Sequence, residues 1–305
     1  DGDVVDKEYA DFTSQMYAEG HSFFTYMSDN ADAINKLTAG GGDEYDLIMT
    51  CDAYMKSLIA GDYVEELNLD NIPNSSNIND TYWVSKGYCV PYLMNYIYVV
   101  YDSETCPVEI HSYNDLLQSG LKISTIDGAR NLFPIALVAL GYDPNSTNES
   151  EIAEAYEWLQ KFNENVVAYG NAEQNLTNGT ANVAVTYDGN ASWAMKEKNT
   201  IKVADFTSDP IQLGIDLFVM PKGAKHVDLA EKFLNYICTA EVMAKNLEEF
   251  PYSCPNDAAV AAASDDYKND PARDFSYKEN VFFQEDVGDA LTIYNDYYQK
   301  LKVGE

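Results

Sequence analysis

The chain has 305 residues, of which 46% are hydrophobic, and it carries a formal net charge of −31. This length and apolar content suffice for a full hydrophobic core and for two lobes, which excludes a disordered chain. The negative charge repels phosphate backbones and anionic lipids, so it disfavours nucleic-acid and membrane-surface partners and favours small cations. Solubility alone, or a salty habitat, is the alternative explanation of this acidity.

The cysteines show neither a CxxC pair nor a spacing suited to zinc, and their number is odd. A disulfide between Cys238 and Cys254 is one interpretation, and a set of small, half-buried thiols is the other. No apolar window is long enough to span a membrane. The chain shows no signal peptide, which a mature exported protein would have lost.

Short β-rich runs alternate with amphipathic helical patterns in chain order. Predicted strands occupy 22–26, 45–49, 96–101, 122–126, 181–187 and 217–220. Predicted helices occupy 29–39, 130–140, 149–164 and 226–246. This alternation predicts an α/β protein with largely parallel sheets, and the absence of a Gly/Ser linker predicts lobes joined by strands.

Several predicted strands end in small or polar residues directly before a helix. These segments are Thr50-Cys51-Asp52-Ala53, Asp127-Gly128-Ala129-Arg130 and Tyr187-Asp188-Gly189-Asn190. Ligands of open α/β sheets bind beyond the carboxyl ends of the strands, so these segments form the candidate site. Ordinary helix capping and turn chemistry is the alternative for any one of them.

An ordered set of segments resembles a known family. YDLIMTCDAYMKSLIAGDYVEELNLDNIPN (45–74), GYCVPYLMNYIYVVYDSE (87–104), NVAVTYDGNASWAM (182–195) and QEDVGDALTIYNDYYQKLKVGE (284–305) are similar to stretches of the type II solute-binding proteins that deliver polyamines to ABC importers. The resemblance covers nearly the whole chain, and its ending is especially similar to the spermidine/putrescine-binding receptors.

The resemblance implies a two-lobed fold of the periplasmic-binding-protein type, with a central, mostly parallel sheet in each lobe and a ligand cleft at the hinge. Lobe one would comprise 1–93 with 216–262, and lobe two 94–215 with 263–305. The hinges would lie at 92–96 and 214–216, where a few residues absorb the motion of each lobe.

The family's site residues can be transferred by position. The hinge aspartate that pairs with a ligand ammonium corresponds to Asp216. A site aromatic corresponds to Tyr187, a second tyrosine to Tyr252, and the glutamine that opens the final helix to Gln284.

Other positions depart from the family. Two ligand-facing carboxylates of the second-lobe loop are replaced by Gly128 and Asn131, and only the neighbouring Asp127 is kept. A site tryptophan is replaced by Gly214, and a first-lobe Ser-Thr-Tyr by Cys51-Asp52-Ala53. The family's first strand and its aromatic segment have no counterpart, since the chain starts with residues similar to the helix that follows them.

A cleft for cations needs carboxylates to replace lost water and aromatic faces to hold the ammonium and the methylene chain. Asp216, Tyr187 and Tyr252 fit this mixture, with Asp52, Asp127 and Asp188 as further acids. We therefore expect a small cationic amine, most simply putrescine or spermidine. The 24 tyrosines leave a sugar as an alternative, and a quaternary or zwitterionic amine would need fewer acids.

A hydrolytic enzyme is the alternative of another class. The three histidines match no catalytic motif, so the sequence predicts no catalytic residue, no metal site and no cofactor. The resemblance implies permease subunits of an ABC transporter as partners, and we expect a monomer. It also implies export, either to the periplasm or to a lipid anchor on the outer face of a bacterial membrane.

Overall fold

The computed structural model describes residues 30–206, 209–273 and 280–304. The predicted strand 22–26 lies outside these residues. The strands are β1 (Ile48–Cys51), β2 (Val90–Asp102), β3 (Ile123–Thr125), β4 (Val166–Tyr169), β5 (Val183–Tyr187), β6 (Ile201–Val203), β7 (Ile211–Val219) and β8 (Val281–Phe283). The helices are α1 (Asn30–Thr38), α2 (Met55–Ala60), α3 (Ala129–Leu140), α4 (Glu149–Asn163), α5 (Ala172–Thr177), α6 (Asp188–Glu197), α7 (Val227–Ile237), α8 (Ala240–Glu249), α9 (Asp257–Ala262), α10 (Asp265–Lys268) and α11 (Ala290–Val303).

Two long strands connect the two halves of the molecule. The first half of β2 pairs with β7, and its second half pairs with β5 and β6. In turn, β7 pairs with β1 at one end and with β8 at the other. The strand order is β1-β7-β2-β5-β3-β4, with β6 added to β2 and β8 added to β7.

The sheet is mixed in direction. The pairs β3–β4, β3–β5 and β7–β8 are parallel, as expected for α/β units. The expectation of mostly parallel sheets is wrong for the two long strands. The pairs β1–β7, β2–β5, β2–β6 and β2–β7 are all antiparallel.

The buried apolar residues separate into clusters on either side of these crossing strands. The largest cluster gathers the second half of β2, β3, β5, α3, α4 and the last helix. Smaller clusters gather β1 with α1 and α2, and the first half of β2 with α7 and α8. Met94, Leu213 and Ile215 lie between them. This arrangement fits the predicted two-lobed class, while the lobe limits given above stay a prediction.

The predicted helix 226–246 is wrong as one element. The chain forms α7 up to Ile237 and starts a new helix at Ala240. Thr239 has extended backbone angles, and its hydroxyl contacts the carbonyl of Asn235 and the amide of Asn74. A tertiary contact therefore competes with the continuous helical period at this point.

Candidate ligand-binding site

Strand β7 directs Asp216 away from the hydrophobic core. Ile215 and Leu217 are buried on one face, so the alternation of a strand places Asp216 and Gly214 on the other face. The amide Nδ2 of Asn95, on the neighbouring β2, donates a hydrogen bond of 2.7 Å to Oδ2 of Asp216. Burial raises the pKa of the Asp216 carboxyl to about 6.

A second acid follows the end of β1, next to Asp216. Cys51 pairs directly with Asp216 across the β1–β7 ladder, and Asp52 comes next in the chain with 8% of its surface exposed. Burial, with the charge of Asp216 adding to it, raises the pKa of Asp52 to about 7. Neither carboxylate forms an ion pair with a cationic side chain of the described residues. Among the described residues, the two acids therefore form a largely buried negative site without a compensating cation.

Tyr187 approaches the same acids from the end of β5. Its pKa is raised to about 12, first by burial and then by the charge of Asp216, and the nearby thiol of Cys51 adds to this. The amide of Asn131 in α3 donates to the Tyr187 hydroxyl at 3.2 Å and to the carbonyl of Asp127 at 2.7 Å. Asn131 thus orients the tyrosine toward Asp216.

Tyr252 forms another wall of the site. Its ring covers Gly189, where a Cβ atom would come within 2.7 Å of the ring carbons, so this close approach requires glycine. The Tyr252 hydroxyl donates to Oδ1 of Asn190 at 3.2 Å. Burial raises the pKa of Tyr252 to about 12, and the charges of Asp188 and Asp216 add to the effect.

Asp188 is buried completely and is bound by protein groups. Its Oδ2 atom accepts from the backbone amide of Ser253 at 2.8 Å and from its hydroxyl at 2.7 Å, and it lies 3.5 Å from Nη1 of Arg273. Burial raises its pKa to about 6 even though the arginine opposes the shift. Ser253 also bridges to Met94 of β2, so Asp188 holds this connecting segment to the end of β5.

Asp127 points toward the last helix. Its carboxylate accepts from the hydroxyl of Tyr298 and lies 3.3 Å from Nζ of Lys302. The backbone amide of Gly128, which has a φ of 109°, donates to the Tyr298 hydroxyl at 2.9 Å. The described contacts thus join this loop to α11 and do not join Asp127 to the Asp216 and Asp52 pair.

Gln284 lies in the loop after β8, and its side-chain amide donates to the carbonyl of Arg130. The prediction that it opens the final helix is wrong, because that helix begins at Ala290. A turn precedes this helix: Gly288 has a φ of 54°, and its backbone amide donates to the carboxylate of Asp286.

Gly214 lies opposite Asn95, and a Cβ atom there would meet only the Asn95 carbonyl, at 3.9 Å. The absence of a side chain at Gly214 therefore leaves open space on the strand face that carries Asp216.

Asn95 was not predicted as a site residue, and Arg130 was predicted only as the last residue of a candidate segment, with no role of its own. Asn95 has a detectable signal, since it is an amide in the middle of an otherwise apolar strand. Arg130 is largely buried, donates to Oδ1 of Asn145 at 2.7 Å and lies 5.0 Å from the centre of the Tyr294 ring. Burial lowers its pKa. These contacts hold the guanidinium group to Asn145 and to the last helix, so this cation does not neutralise Asp216.

None of the described helices is both long and apolar enough to cross a membrane. Residues 30–206, 209–273 and 280–304 also contain no group of three or more histidine, cysteine or acidic side chains that could hold a metal ion.

Comparisons with known proteins agree with this architecture. Residues 22–274 match the family model of the bacterial extracellular solute-binding proteins. The spermidine/putrescine-binding periplasmic protein of Salmonella typhimurium is 30% identical over 92% of this chain and 84% of its own length. A Listeria monocytogenes protein assigned to spermidine/putrescine ABC transport has a TM-score of 0.86 at 25% identity and covers 96% of this chain and 95% of its own.

The same fold also occurs with a different ligand. A binding protein of Agrobacterium tumefaciens, solved in complex with glucopine, has a TM-score of 0.70 at 17% identity and covers 95% of this chain and 94% of its own. At that identity the likeness concerns the fold alone, so the ligand must be inferred from the side chains of the site.

Proposed function

The chain belongs to the bacterial extracellular solute-binding protein family, and we propose that it captures a small cationic amine of the polyamine class for an ABC importer. The observation that carries this proposal is the pair of neighbouring carboxylates, Asp216 and Asp52, which lie largely out of solvent and have no cationic partner among the described residues. An ammonium group of a ligand would supply the missing positive charge.

The remaining walls of the site support an amine. The ring of Tyr252 and the ring of Tyr187 both lie within electrostatic range of Asp216. Aromatic faces attract an ammonium group and also cover an alkyl chain without requiring hydrogen bonds from it. A sugar would instead require donors and acceptors for several hydroxyl groups, and two ionised acids alone provide only acceptors.

The names of the relatives support the polyamine class. The Salmonella relative is a spermidine/putrescine-binding protein, and similarity to it extends over nearly the whole chain. Two buried acids match the two charges of a diamine such as putrescine, and an unpaired buried charge is unfavourable by several kcal/mol. A diamine is therefore the smallest ligand that balances this pair.

Capture would proceed by closure of the two lobes around the strands β2 and β7. A contact between the predicted lobes is present already: the backbone amide of Ser57 in α2 donates to Oδ2 of Asp286 at 3.0 Å, and its hydroxyl donates to the same atom. The ligand stabilises this closed form only by the amount by which it binds that form better than the open one. No chemical conversion is part of the proposal.

We further propose that the closed, monomeric receptor delivers the amine to permease subunits of the importer. It would act outside the cytoplasmic membrane, either free in a periplasm or held by a lipid anchor. Of the sequence-derived ligand residues, the proposed contacts are Asp216, Asp52, Tyr187, Tyr252 and Asn131.

A thermal-shift screen tests the ligand class. Putrescine, spermidine, agmatine, choline, glucose and glucopine are each added to the ligand-free protein, because a compound that binds only the native state raises Tm by mass action. We expect putrescine or spermidine to raise Tm most and the uncharged sugar to leave it unchanged. A rise with glucose and none with any amine would overturn the proposal.

A further inference from the structure

Asn95 is a polar residue in the middle of the long strand β2. In the ladder with β7 it lies opposite Gly214, and Leu93 lies opposite Asp216. Cross-strand partners share a face of the sheet, and so do residues that are two apart on one strand. Asn95 and Asp216 are therefore on one face, and the absence of a side chain at Gly214 lets the amide reach diagonally across to the carboxylate.

The position of β2 in the sheet also relates Asn95 to the aromatic wall of the site. Strand β2 lies between β7 and β5, and Ile97, two residues after Asn95, lies opposite Tyr187. Asn95 thus occupies the strand between the acid on β7 and the tyrosine at the end of β5. The charge of Asp216 raises the pKa of Tyr187, so the two side chains come close together at this place.

The Asn95 amide uses only one of its two ends within the protein. Its Nδ2 atom donates to Oδ2 of Asp216 at 2.7 Å. An ionised carboxylate can only accept, so the NH₂ group must face Asp216 and Oδ1 is turned away from it. No group of the described residues donates to Oδ1, and this oxygen keeps contact with solvent. A free acceptor therefore lies beside Asp216, next to the open space over Gly214.

A carboxylate with a neighbouring neutral acceptor distinguishes between two kinds of ammonium group. A primary ammonium group carries three N–H donors, and each donor needs an acceptor when the group leaves water. A quaternary ammonium group carries the same charge and no donor. Carboxylates and aromatic faces attract both kinds. The free Oδ1 atom of Asn95 stabilises only the kind that can donate to it.

We propose that Asn95 positions the carboxylate of Asp216 through Nδ2 and accepts a hydrogen bond from the bound ammonium group through Oδ1. This inference rests on the proposed function and extends it, because it restricts the ligand to amines that carry N–H donors. A merely structural Asn95 would support the sheet and would have no influence on which ammonium group binds.

Calorimetry with putrescine and with its hexamethylated form tests the inference, because both have two charges on the same chain and only putrescine has N–H donors. The wild type should bind putrescine more than tenfold more tightly. Asn95→Leu removes the amide at similar size and is expected to weaken putrescine binding about five- to tenfold and to change binding of the methylated form less than twofold. Equal binding of both diamines by the wild type, an unchanged affinity of Asn95→Leu for putrescine, or an equal loss for both diamines would overturn the inference.

The pH dependence provides a readout that a structural role would not change. The amide of Asn95 opposes the effect of burial on the pKa of Asp216, so its removal raises this pKa further. The loss of putrescine affinity in Asn95→Leu should therefore be about twofold or more larger at pH 6 than at pH 8. The other titratable groups that face Asp216, namely Cys51, Asp52, Tyr187 and Tyr252, are the same in both proteins. An equal loss at both pH values would contradict the positioning role.

Asn71→Leu is the matched control. The Nδ2 atom of Asn71 donates at 2.6 Å to Oε2 of Glu231, a buried carboxylate of α7, so the substitution removes the same kind of amide–carboxylate bond outside the proposed site. It should leave the affinity for putrescine and its pH dependence unchanged. If it weakens putrescine binding as much as Asn95→Leu does, the effect is one of general stability and the inference is overturned.

The remaining outcomes separate this inference from the proposed function. If the wild type binds neither diamine, the proposed function fails and the role of Asn95 fails with it. If Asp216→Asn weakens putrescine binding and Asn95→Leu does not, only the role of Asn95 is overturned.

Discussion

Two aspartates of this protein, the buried Asp188 and the partly buried Asp216, differ in what compensates their charge. Both lie at the junction between the predicted lobes, and burial raises the pKa of each to about 6. Asp188 accepts two hydrogen bonds from Ser253 and lies next to Arg273. Asp216 receives one amide hydrogen bond from Asn95 and has no cationic partner among the described residues.

This difference distinguishes a structural acid from a ligand-binding acid. A buried carboxylate with a protein cation stabilises the fold as long as both partners remain, because removal of one leaves an unpaired charge. A buried carboxylate without a protein cation destabilises the empty protein and gains a partner only when a cation binds. Asp188 is therefore a structural acid, and Asp216 is the proposed ligand contact.

The largest expected effect comes from Arg273→Met. Arg273 pairs with Asp188, and its side chain is only 14% exposed, so the substitution leaves a buried charge without compensation. We expect the free energy of unfolding to fall by about 3–5 kcal/mol. Denaturant unfolding at pH 7.5 measures it.

The double variant Arg273→Met/Asp188→Asn serves as the control for this effect. It removes the unpaired charge and should recover part of the lost stability, since the remaining amide can still bond to Ser253. If the free energy of unfolding of the single variant falls by less than about 1 kcal/mol, the Arg273–Asp188 pair contributes no more to stability than a surface ion pair.

Asp216→Asn is expected to have the second-largest effect, on binding and not on folding. The affinity for putrescine should fall more than tenfold, or by more than about 1.4 kcal/mol, because the substitution removes a desolvated charge partner. The free energy of unfolding should be no lower than that of the wild type, since an uncompensated charge is lost. Calorimetry and denaturant unfolding measure the two quantities, and an unchanged affinity would contradict the assigned role.

The smallest expected effect is the dependence of amine binding on pH. Burial raises the pKa of Asp216 to about 6 and that of Asp52 to about 7, both above the ordinary value of 3.8. Both carboxyl groups are therefore protonated at pH 5, and these protons must leave when an ammonium group binds. Affinity should therefore rise from pH 5 to about pH 7.5 and then level off, while the amine itself stays charged.

Calorimetry of putrescine binding in buffers of different ionisation enthalpy measures the released protons. Asp216→Asn should leave a single step from Asp52 and shift it to lower pH, because the charge of Asp216 no longer raises the pKa of Asp52. A constant affinity over the whole range would show that the two acids are already ionised or do not face the ligand.

The sequence predicted much of the framework from local patterns. The helical patterns of 130–140 and 149–164 correspond to α3 and α4, whereas the predicted strand 217–220 covers only the end of β7 and leaves out Asp216. The final helix was assigned too early, at Gln284, because a turn built on Gly288 has no helical period to reveal it.

The candidate site was predictable only in part. The polar segments at the ends of β1 and β5 identified Asp52, Tyr187 and Asp188, but their different contacts depend on segments far away in the chain. Asp188 meets Ser253 over a separation of 65 residues, and Asn95 meets Asp216 over 121. Periodicity reports which face a residue occupies and carries no information about the partner that folding brings to that face.

By itself, the sequence determined that this is an acidic α/β protein with carboxylates and tyrosines at the ends of its strands, because strand and helix periods and turn residues are local properties. Only the tertiary structure decided that Arg273 compensates Asp188, while Asp216 and Asp52 have no cationic partner in the part of the chain that the structure describes. The reason is physical: the free energy of a buried charge depends on the groups within a few ångströms of it, and those groups come from distant parts of the chain.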